Sequence, residues 1–592
     1  MMFGAAIDAH GTSFRLWAPA ARAVALHLPE TRRNVPMARQ ESGWHAVRIP
    51  NLVAGTVYQY VIDDVQPVPD PASRFQPHDV DGPSELIDPE AFDWPDATWN
   101  GRPWHEAVIY EIHVGTFTRE GTFAAAEADL SRLANLGITA IELMPVADFA
   151  GRRNWGYDGV LPFAPDSTYG TPSALKCFIA AAHALGLMVF VDVVYNHFGP
   201  EGNYLGRYAP EFFADTDTGW GRGINFAARL VRDFFIDNAL YWIIEYNVDG
   251  LRFDAIHAID DASRPDILEE LAARLRLAVA PNRHVHLMLE NDRNQARYLR
   301  RDADGQTVAY DAQWNDDFHH AAHVVLTGET AGYYADFAVE PVAKLGRALA
   351  EGFAFQGEYS GYRNARRGEP SHDLPPVAMV NFLQNHDQVG NRPCGERLTV
   401  LAEPAALAAA TAILLLAPSP PLLFMGEEWD ATTPFLFFCD FSGALGDAVR
   451  DGRRRELRKL PAYTSADAVA SVPDPQALAT FECSQLVRPA PGERPPMNHA
   501  IRSLLAIRHR EIVPRLAGTP GGASHYVAVG TGLTTEWRLG DGSRLSLVAN
   551  LGCKAITRSW PTAPGHVLWG GNVRGDQLSP WSVTWTLTEA AA

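Results

Sequence analysis

The sequence has 592 residues, of which 47% are apolar and 20% are charged, and its formal net charge is -20. A chain of this length is too long for one hydrophobic core, so two to four domains are expected. The composition is ordinary for a globular protein, and the negative charge argues against nucleic acid or an anionic membrane as a partner and suits a neutral substrate.

The cysteines and the apolar runs indicate a protein without disulfides and without a membrane span. The five cysteines are odd in number, widely spread and contain no CxxC pair, so we expect neither a disulfide framework nor a zinc site. The most apolar stretch, residues 405–426, is divided by Pro418, Pro420 and Pro421 and is too short to cross a bilayer. It predicts a buried helix followed by a buried strand. The N-terminus shows no secretory signal, so a cytoplasmic location is expected.

Short strand patterns fill the first 95 residues, which we predict to be a small N-terminal β-sandwich. The patterns are FRLWAP, AVALHLP, GWHAVRIP and TVYQYVID, and glycines and prolines separate them. The proline-rich stretch 65–83 follows, and it predicts either a linker or a segment that wraps around its neighbours.

Residues 96–520 alternate apolar strand patterns with helical ones, which predicts a TIM barrel with inserted loops. The eight strand candidates are AVIYEIHV, ITAIELMPV, LMVFVDVVYNH, VDGLRFDAI, HVHLMLEND, YDAQWND, VAMVNFLQNHD and PLLFMGEEW. Such apolar strands are typical of a parallel sheet covered on both faces, and eight βα units are typical of a (β/α)8 barrel. A doubly wound open sheet is the alternative, but no glycine-rich phosphate-binding pattern follows any strand. Residues 521–592 predict a C-terminal β-sandwich domain.

Polar side chains gather where the predicted barrel strands end, which is where TIM barrels carry their chemistry. Asp192, Asn196 and His197 follow the third strand, Arg252 and Asp254 the fourth, Glu290 the fifth, and His386 with Asp387 the seventh. Three carboxylates, Asp254, Glu290 and Asp387, would therefore meet at one mouth. Cleavage of a glycosidic bond requires paired carboxylates, and a neighbouring arginine would lower the pKa of the attacking one.

The segments DVVYNH, GLRFDAIH, LMLEN and FLQNHD resemble, in order and spacing, the four motifs of the α-amylase family of glycoside hydrolases. The resemblance implies that Asp254 is the nucleophile, Glu290 the general acid/base and Asp387 the carboxylate that binds the distorted sugar. It also implies that further side chains line the cleavage subsite, namely Arg252, His197 and His386.

Within that family the chain is most similar to the maltooligosyltrehalose trehalohydrolases, through IYEIHVGTFTREGTF, NWGYDG, QWNDDFHHAAHVVLTGE and MGEEWDATTPFLFFCDF. Such enzymes release trehalose by hydrolysing the α-1,4 bond next to it, and their N-terminal sandwich is of a carbohydrate-binding type. Two alternatives stay open. One is a glycogen branching enzyme, although the sequence QNHDQ lacks the serine typical there. The other is a non-catalytic α-glucan-binding protein.

Other residues have both a functional and an ordinary structural interpretation. Tyr157 is predicted to stack on a sugar, and Glu428 is expected at the rim of the site. Further substrate contacts are predicted at Asp192, Asn196, His257, Trp155, Gln388 and Glu427. Asp192 could equally close its strand, and Trp155 could equally be a core residue. The histidines of HHAAH, residues 319–323, lack the glutamate of a zinc motif, so we predict a helix face there, no metal and no cofactor.

Overall fold

The structure is a computed structural model that describes residues 2–8, 10–65, 67–95, 98–218, 220–458, 463, 465–490, 492–493, 495–557, 565–571 and 577–590. It contains an N-terminal sandwich, a central closed barrel and a C-terminal β-domain. No helix in the described part of the chain is long and apolar enough to span a bilayer.

Two antiparallel sheets form the N-terminal sandwich. The strands of the first sheet are, in spatial order, Ala6–Asp8, Gly11–Trp17, Trp44–Ile49 and Ala38–Arg39. Those of the second are Arg33–Pro36, Val24–Leu28, Val57–Ile62 and Pro67–Val68, with Ser84–Glu85 paired to the third of them. Side chains alternate between buried and partly exposed along Gly11–Trp17, where Phe14 and Leu16 point into the core. This is the alternation expected when one face of each sheet is covered.

The proline-rich stretch wraps around its neighbours and is not an exposed linker. Asp70 is fully buried, and its carboxylate accepts hydrogen bonds from the Tyr58 hydroxyl at 2.9 Å and from the Ala72 N–H at 2.8 Å. The guanidinium of Arg74 lies 4.6 Å from the ring centre of Phe163, in the barrel domain. The stretch therefore connects the sandwich to the barrel through packed contacts.

All eight predicted strands form one closed parallel barrel. They are Ile109–Ile112, Ala140–Leu143, Met188–Val193, Gly250–Phe253, His286–Leu289, Ala312–Trp314, Met379–Phe382 and Pro421–Phe424. Apolar side chains fill the interior, including Phe190 and Met288, and Trp104 packs below them. A Cβ at Gly250 would lie 2.5 Å from the carbonyl oxygen of His286, so only glycine allows the fourth and fifth strands to approach as they do.

Most helices cover the outside of the barrel, and the short helix His386–Gly390 lies at its mouth. The longer ones are Pro172–Ala184, Arg229–Ile244, Ile267–Ala278, Asp316–Thr327, Pro341–Glu351, Pro404–Leu416, Gly443–Leu457 and Pro496–Ile507. The shorter ones are Val114–Phe117, Phe123–Glu127, Leu130–Leu136, Leu205–Tyr208, His386–Gly390, Leu398–Leu401, Ala466–Ala470, Leu478–Ser484 and Val513–Leu516. Their boundaries follow local sequence signals. Thr171 caps the helix that opens with Pro172, and Asp266 forms a capping box with Glu269, as expected for these residue types.

Three two-stranded hairpins stand on the loops at the carboxyl ends of the barrel strands. They are Ala147–Asp148 with Leu161–Pro165, Phe213–Asp217 with Arg222–Ile224, and Tyr359–Ser360 with Ala365–Arg366. Helix Gly443–Leu457 lies in the insertion after the eighth strand. These insertions enlarge the barrel beyond its minimal size.

The C-terminal β-domain has a five-stranded antiparallel sheet and a smaller two-stranded one. The larger sheet has the order Ser524–Val529, Gly532–Arg538, Arg544–Asn550, Ser582–Thr588, His566–Trp569, and the smaller pairs Ile556–Thr557 with Gln577–Leu578. The indole N–H groups of Trp537 and Trp585 donate to the carbonyl oxygens of Leu349 and Ala412 on barrel helices. The predicted multidomain TIM-barrel fold is confirmed, and the boundaries at 95 and 520 stay predictions.

Candidate active site

Arg252 lies at the centre of the polar cluster at the carboxyl end of the barrel. It is the inward-facing residue near the end of the fourth strand, between Leu251 and Phe253, and its side chain is fully buried. Its Nη1 donates to Asp192 at 2.6 Å and to Asp254 at 2.8 Å. A buried guanidinium costs much free energy unless carboxylates compensate its charge, and two of them do so here.

The same guanidinium reaches a third carboxylate and an aromatic ring. Its Nη2 lies 3.2 Å from Oε2 of Glu290, and its carbon atom lies 4.3 Å from the ring centre of Trp314. Arg252 is thereby held in place by the indole and by three acids. One rigid cation therefore sets the relative positions of Asp192, Asp254 and Glu290.

Asp254 has the contacts of an oriented carboxylate. Its Oδ1 accepts from Arg252, and its Oδ2 accepts from the side-chain amide of Asn196 at 3.0 Å. The Asn196 amide also donates to the backbone carbonyl of Asp254 at 3.2 Å. The side chain is 13% exposed, so it is held on both oxygens but still open to a bound molecule. This is the arrangement that a nucleophilic carboxylate needs.

Glu290 lies beside Asp254 because the two residues follow adjacent strands in register. Phe253 pairs with Leu289 across these strands, so Asp254 and Glu290 each come one residue later. Oε2 of Glu290 accepts from the Ala255 N–H at 2.6 Å. Ala255 has a left-handed backbone, with φ at 40°, a conformation that a non-glycine residue seldom adopts. This turn directly after Asp254 aims the N–H at Glu290.

The pKa of Glu290 lies well above its ordinary value. Burial is the largest cause, and the charges of Asp254 and Asp387 raise the pKa further, whereas Arg252 opposes the shift. A carboxyl group that stays protonated near neutral pH can donate a proton to a leaving oxygen. Glu290 is therefore suited to act as an acid and Asp254 as a nucleophile.

Asp387 reaches the same mouth from a short helix after the seventh strand. Helix His386–Gly390 begins with a capping box between Asn385 and Gln388. The Asp387 side chain is 40% exposed, which is more than that of either other carboxylate. It is thus the most open of the three acids to a sugar hydroxyl. Gln388 Oε1 accepts the Asn385 N–H at 3.1 Å, and its substrate contact stays a prediction.

His386 is buried between strand one of the barrel and the mouth of the site. Its Nδ1 lies 2.5 Å from Oε1 of Glu111, and its backbone N–H donates to Oε2 of the same carboxylate at 3.1 Å. Its Nε2 lies 2.8 Å from the Tyr157 hydroxyl. Burial acts to lower the pKa of His386, but Glu111 and Asp387 outweigh it and raise the pKa to about 9.

Tyr157 connects His386 to the arginine centre. Its hydroxyl donates to Asp192 Oδ2 at 2.7 Å, and its ring stacks on the His386 ring with centres 5.1 Å apart. Burial raises the pKa of Asp192 to about 6, against the effect of Arg252. Tyr157 is only partly buried, and its predicted sugar contact stays a prediction.

His197 and Trp220 form the wall next to Asn196. The side chain of His197 hydrogen-bonds Asn196 through Nδ1, and its ring stacks on Trp220 with centres 6.0 Å apart. Trp220 is 57% exposed on the hairpin after the third strand. Burial lowers the pKa of His197, which favours a neutral ring.

Two sequence interpretations need correction. Trp155 was predicted as a substrate contact, but its side chain is buried, donates to the Leu436 carbonyl oxygen and meets His386 edge to face. It packs against the His386 ring and helps to fix its position. Glu428 was expected at the rim, but it is fully buried and accepts from the Tyr110 hydroxyl and from Arg132. It anchors the loop after the eighth strand, where an isolated charge would be costly.

Two other predicted contacts lie in partly buried positions. His257 follows the nucleophile strand, and its Nδ1 accepts the Asp292 N–H over a long 3.4 Å. Glu427 accepts the Phe424 N–H at 2.8 Å, and burial raises its pKa to about 8. Their contacts with a substrate stay predictions.

The histidines on helix Asp316–Thr327 pack inside the protein, and two of them have hydrogen-bond partners. His319 bonds the Leu383 carbonyl oxygen and the Tyr334 hydroxyl, and His323 bonds Glu329. His320 packs against aromatic rings, among them Tyr333. The predicted helix face is present and His319 and His323 are hydrogen-bonded, whereas Nδ1 of His320 is buried without a hydrogen-bond partner among the described residues. Within the residues that the structure describes, no group of three or more His, Cys, Asp or Glu side chains could hold a metal ion.

The sequence interpretation missed Glu111 and Trp314, which fix the orientation of predicted site residues. Glu111 is the one charged residue in the first barrel strand, IYEI, and Trp314 ends the sixth. For Glu111 the signal in the sequence is an acid within an apolar barrel strand. Such an acid is buried and must have a partner.

Three protein-family models match the chain. Residues 2–79 match carbohydrate-binding module 48, the isoamylase N-terminal domain, and residues 115–211 match the alpha amylase catalytic domain. Residues 520–585 match a domain of unknown function, DUF3459. The three matches follow the order of the sandwich, the barrel and the C-terminal β-domain.

Similar proteins cover almost the whole chain. Malto-oligosyltrehalose trehalohydrolase from Saccharolobus solfataricus is 42% identical over 491 residues, 82% of this chain and 83% of the relative. The enzyme of that name from Deinococcus radiodurans is 42% identical over 509 residues, 85% of this chain and 82% of the relative. A crystal structure from Salmonella typhimurium, provisionally assigned as an alpha amylase, is 45% identical, covers 99% of both chains and has a TM-score of 0.94.

The branching-enzyme alternative has a weaker match. A 1,4-alpha-glucan branching enzyme from Corynebacterium diphtheriae is 32% identical over 276 residues, 42% of this chain and 37% of the relative. The trehalohydrolases match about twice that share of the chain at higher identity. The predicted resemblance is therefore confirmed, and the chain belongs to the malto-oligosyltrehalose trehalohydrolase family of alpha-amylase-type glycoside hydrolases.

Proposed function

We propose that this protein hydrolyses the α-1,4-glucosidic bond next to the terminal trehalose of maltooligosyltrehalose and releases trehalose. The observation that carries the proposal is the single guanidinium of Arg252 between Asp254 and Glu290, at the barrel mouth of a chain 42% identical to trehalohydrolases. The paired acids supply the chemistry, and the relatives supply the substrate. This arrangement argues against a non-catalytic glucan-binding protein.

The proposed reaction takes two steps. In the first, a carboxylate oxygen of Asp254 bonds to the anomeric carbon while the bond to the trehalose oxygen breaks, and Glu290 gives its proton to that oxygen. In the second, Glu290 takes a proton from water, the water oxygen bonds to the anomeric carbon, and Asp254 leaves. We assign Asp387 to the hydroxyl groups of the distorted sugar, because it is the most exposed of the three acids.

The spacing of the two acids supports this retaining route. Asp254 and Glu290 occupy equivalent positions one residue beyond adjacent strands, and such strands lie about 4.8 Å apart. Retaining enzymes need carboxyl groups about 5–5.5 Å apart, whereas inverting enzymes leave room for a water between them. Both acids contact the same guanidinium, which favours the shorter separation.

Trehalose recognition requires polar groups on the acceptor side of Glu290. We assign this side to the loops that carry His257 and Glu427, which follow the fourth and eighth strands. A site built to bind sugar hydroxyls rejects a ligand that lacks them, because its buried polar groups stay unpaired. The partner is therefore an α-glucan that ends in trehalose. The cytoplasmic location expected from the sequence stays a prediction.

Substrate comparison tests this function. We expect maltotriosyltrehalose to be hydrolysed with a kcat/KM at least about 100-fold above that of maltopentaose, a chain of equal length with an ordinary reducing end. Chromatography of the products should show maltotriose and trehalose in equal amounts. Comparable kcat/KM values for both substrates would contradict the assignment, and new α-1,6 branches formed from amylose would identify a branching enzyme instead.

A further inference from the structure

Two buried glutamates lie side by side in the barrel beneath the proposed site. Glu111 is on the first strand and Glu142 on the second, and the two are direct partners in the strand register. Each is 1% exposed. Two carboxylates this close and this buried do not both ionise near neutral pH, because each charge opposes the other and burial opposes both.

The contacts of the two acids differ sharply. Both oxygens of Glu111 bind His386, one through the ring Nδ1 and one through the backbone N–H. Both oxygens of Glu142 are buried without a hydrogen-bond partner among the residues that the structure describes. An ionised carboxylate with no donor costs far more free energy than a neutral carboxylic acid in the same place. The contacts therefore place the negative charge on Glu111 and a proton on Glu142.

The hydrogen bonds around His386 determine how many protons its ring carries. The Tyr157 hydroxyl has one proton, and it donates this to Asp192 at 2.7 Å. Its oxygen must then accept from Nε2 of His386, 2.8 Å away. Nδ1 faces the Glu111 carboxylate at 2.5 Å, so Nδ1 carries a proton too. A histidine that donates from both nitrogens is an imidazolium.

We propose that Glu142 is a neutral acid and that its neighbour Glu111 is the anion that holds His386 as an imidazolium beneath the site. Glu111 is then a positioning residue for the reaction, a role that rests on the proposed function. The imidazolium gives Tyr157 a donor and places a cation 3.6 Å from Oδ1 of Asp387. Loss of the Nε2 proton would remove both the hydrogen-bond donor to Tyr157 and the positive charge near Asp387.

The pKa directions agree with this division. Burial and the neighbouring Glu111 and Asp192 raise the pKa of Glu142 well above its ordinary value, whereas the pKa of His386 rises to about 9 despite burial. The titratable and charged groups that face His386 from the surrounding elements are Glu111, Glu142, His113, Tyr157, Arg252 and Asp387. Of these, Glu111 alone contacts Nδ1.

Substitution of each glutamate by glutamine tests which of the two carries the charge, because glutamine is a close neutral mimic of a protonated glutamate. The full chain is labelled with ¹⁵N in its 20 histidines, and His386→Gln identifies the signal of His386. In the wild type we expect this ring to stay doubly protonated up to about pH 8. Glu111→Gln should lower its titration midpoint by at least about one pH unit. The matched control Glu142→Gln should leave the midpoint within about 0.3 pH unit.

The alkaline limb of kcat that remains in a Glu290→Gln background supplies a second readout, because residue 290 then has no proton to lose. This remaining limb should move to lower pH when Glu111→Gln is added and keep its position when Glu142→Gln is added. A wild-type midpoint near the ordinary value of histidine, or a shift in Glu142→Gln as large as in Glu111→Gln, would overturn the inference. If Glu111→Gln does not fold, the wild-type midpoint together with that of Glu142→Gln still decides it. If wild-type protein releases no trehalose, the proposed function fails while the titration still decides the inference about the two glutamates.

Discussion

Asp254→Asn reduces kcat for trehalose release by about 10⁴-fold or more, which is the expected result if Asp254 is the nucleophile. Asparagine keeps the shape of the side chain, and its carbonyl oxygen can still accept from Arg252. The amide cannot form the bond to the anomeric carbon. The fold should persist, because Arg252 keeps Asp192 and Glu290 as partners, and Asn196 still donates to the backbone carbonyl of residue 254.

The measurement is single-turnover kinetics on maltotriosyltrehalose, with circular dichroism and the melting temperature to confirm folding. Asp260→Asn is the matched control, because Asp260 is an exposed aspartate six residues further along the chain. It should behave like wild type. A folded Asp254→Asn variant with activity within about tenfold of wild type would reject Asp254 as the nucleophile, since loss of a nucleophile costs several orders of magnitude.

Glu290→Gln should lower kcat by about 10²–10⁴-fold, the usual contribution of a general acid. The pH dependence should change with it. Burial raises the pKa of Glu290, so wild-type activity is lost as the pH rises through that pKa and the acid loses its proton. Glutamine has no proton to lose. The alkaline limb that Glu290 causes should therefore disappear from the residual activity.

An activated substrate separates this role from a structural one. Fluoride leaves from an α-maltosyl fluoride without needing a proton, so the first step of Glu290→Gln on this substrate should stay close to wild type. Glu482→Gln, an exposed glutamate on helix Leu478–Ser484, serves as the control. Equal losses on the fluoride and on maltotriosyltrehalose, or an unchanged alkaline limb, would assign the acid to another group.

The barrel and its mouth were predictable because their signals are local. Each strand is a short apolar run, and the polar residue that follows it falls at the carboxyl end, where the topology gathers all such residues. Asp254 and Glu290 were found this way, and the register of Phe253 with Leu289 gives them equivalent positions. Arg252 was recognisable because a charge two residues before Asp254, within an apolar strand, requires a partner.

The residues that fix the orientation of the site were harder to predict. Glu111 and Glu142 each resemble a single acid in an apolar strand, and only the barrel register shows that they are partners. Trp155 follows the second strand like a sugar-binding residue, yet a Cβ on Gly390 would lie 2.1 Å from its ring. The indole thus packs directly against the backbone of helix His386–Gly390. The contact of Trp155 with Gly390 connects residues more than 200 positions apart, and no local pattern encodes either contact.

The insertion after the eighth strand was also beyond local reasoning. Helix Gly443–Leu457 is rich in arginine and exposed on most faces, so it has few apolar residues to mark a buried face. Glu428 lies in the loop that begins this region, and its partners Tyr110 and Arg132 come from the first βα unit. From the sequence alone, a buried loop acid whose partners are distant in the chain cannot be distinguished from a loop acid exposed to solvent.

The stereochemistry of trehalose release tests the central claim most directly, that Asp254 and Glu290 cleave the bond by a retaining route. Proton NMR of wild-type protein with maltotriosyltrehalose, recorded before mutarotation, follows both products in one sample. We predict that trehalose and the α-anomer of maltotriose increase together from the first spectra, with the β-anomer appearing later. A β-anomer that appears first, or maltotriose formed without trehalose, would contradict the account.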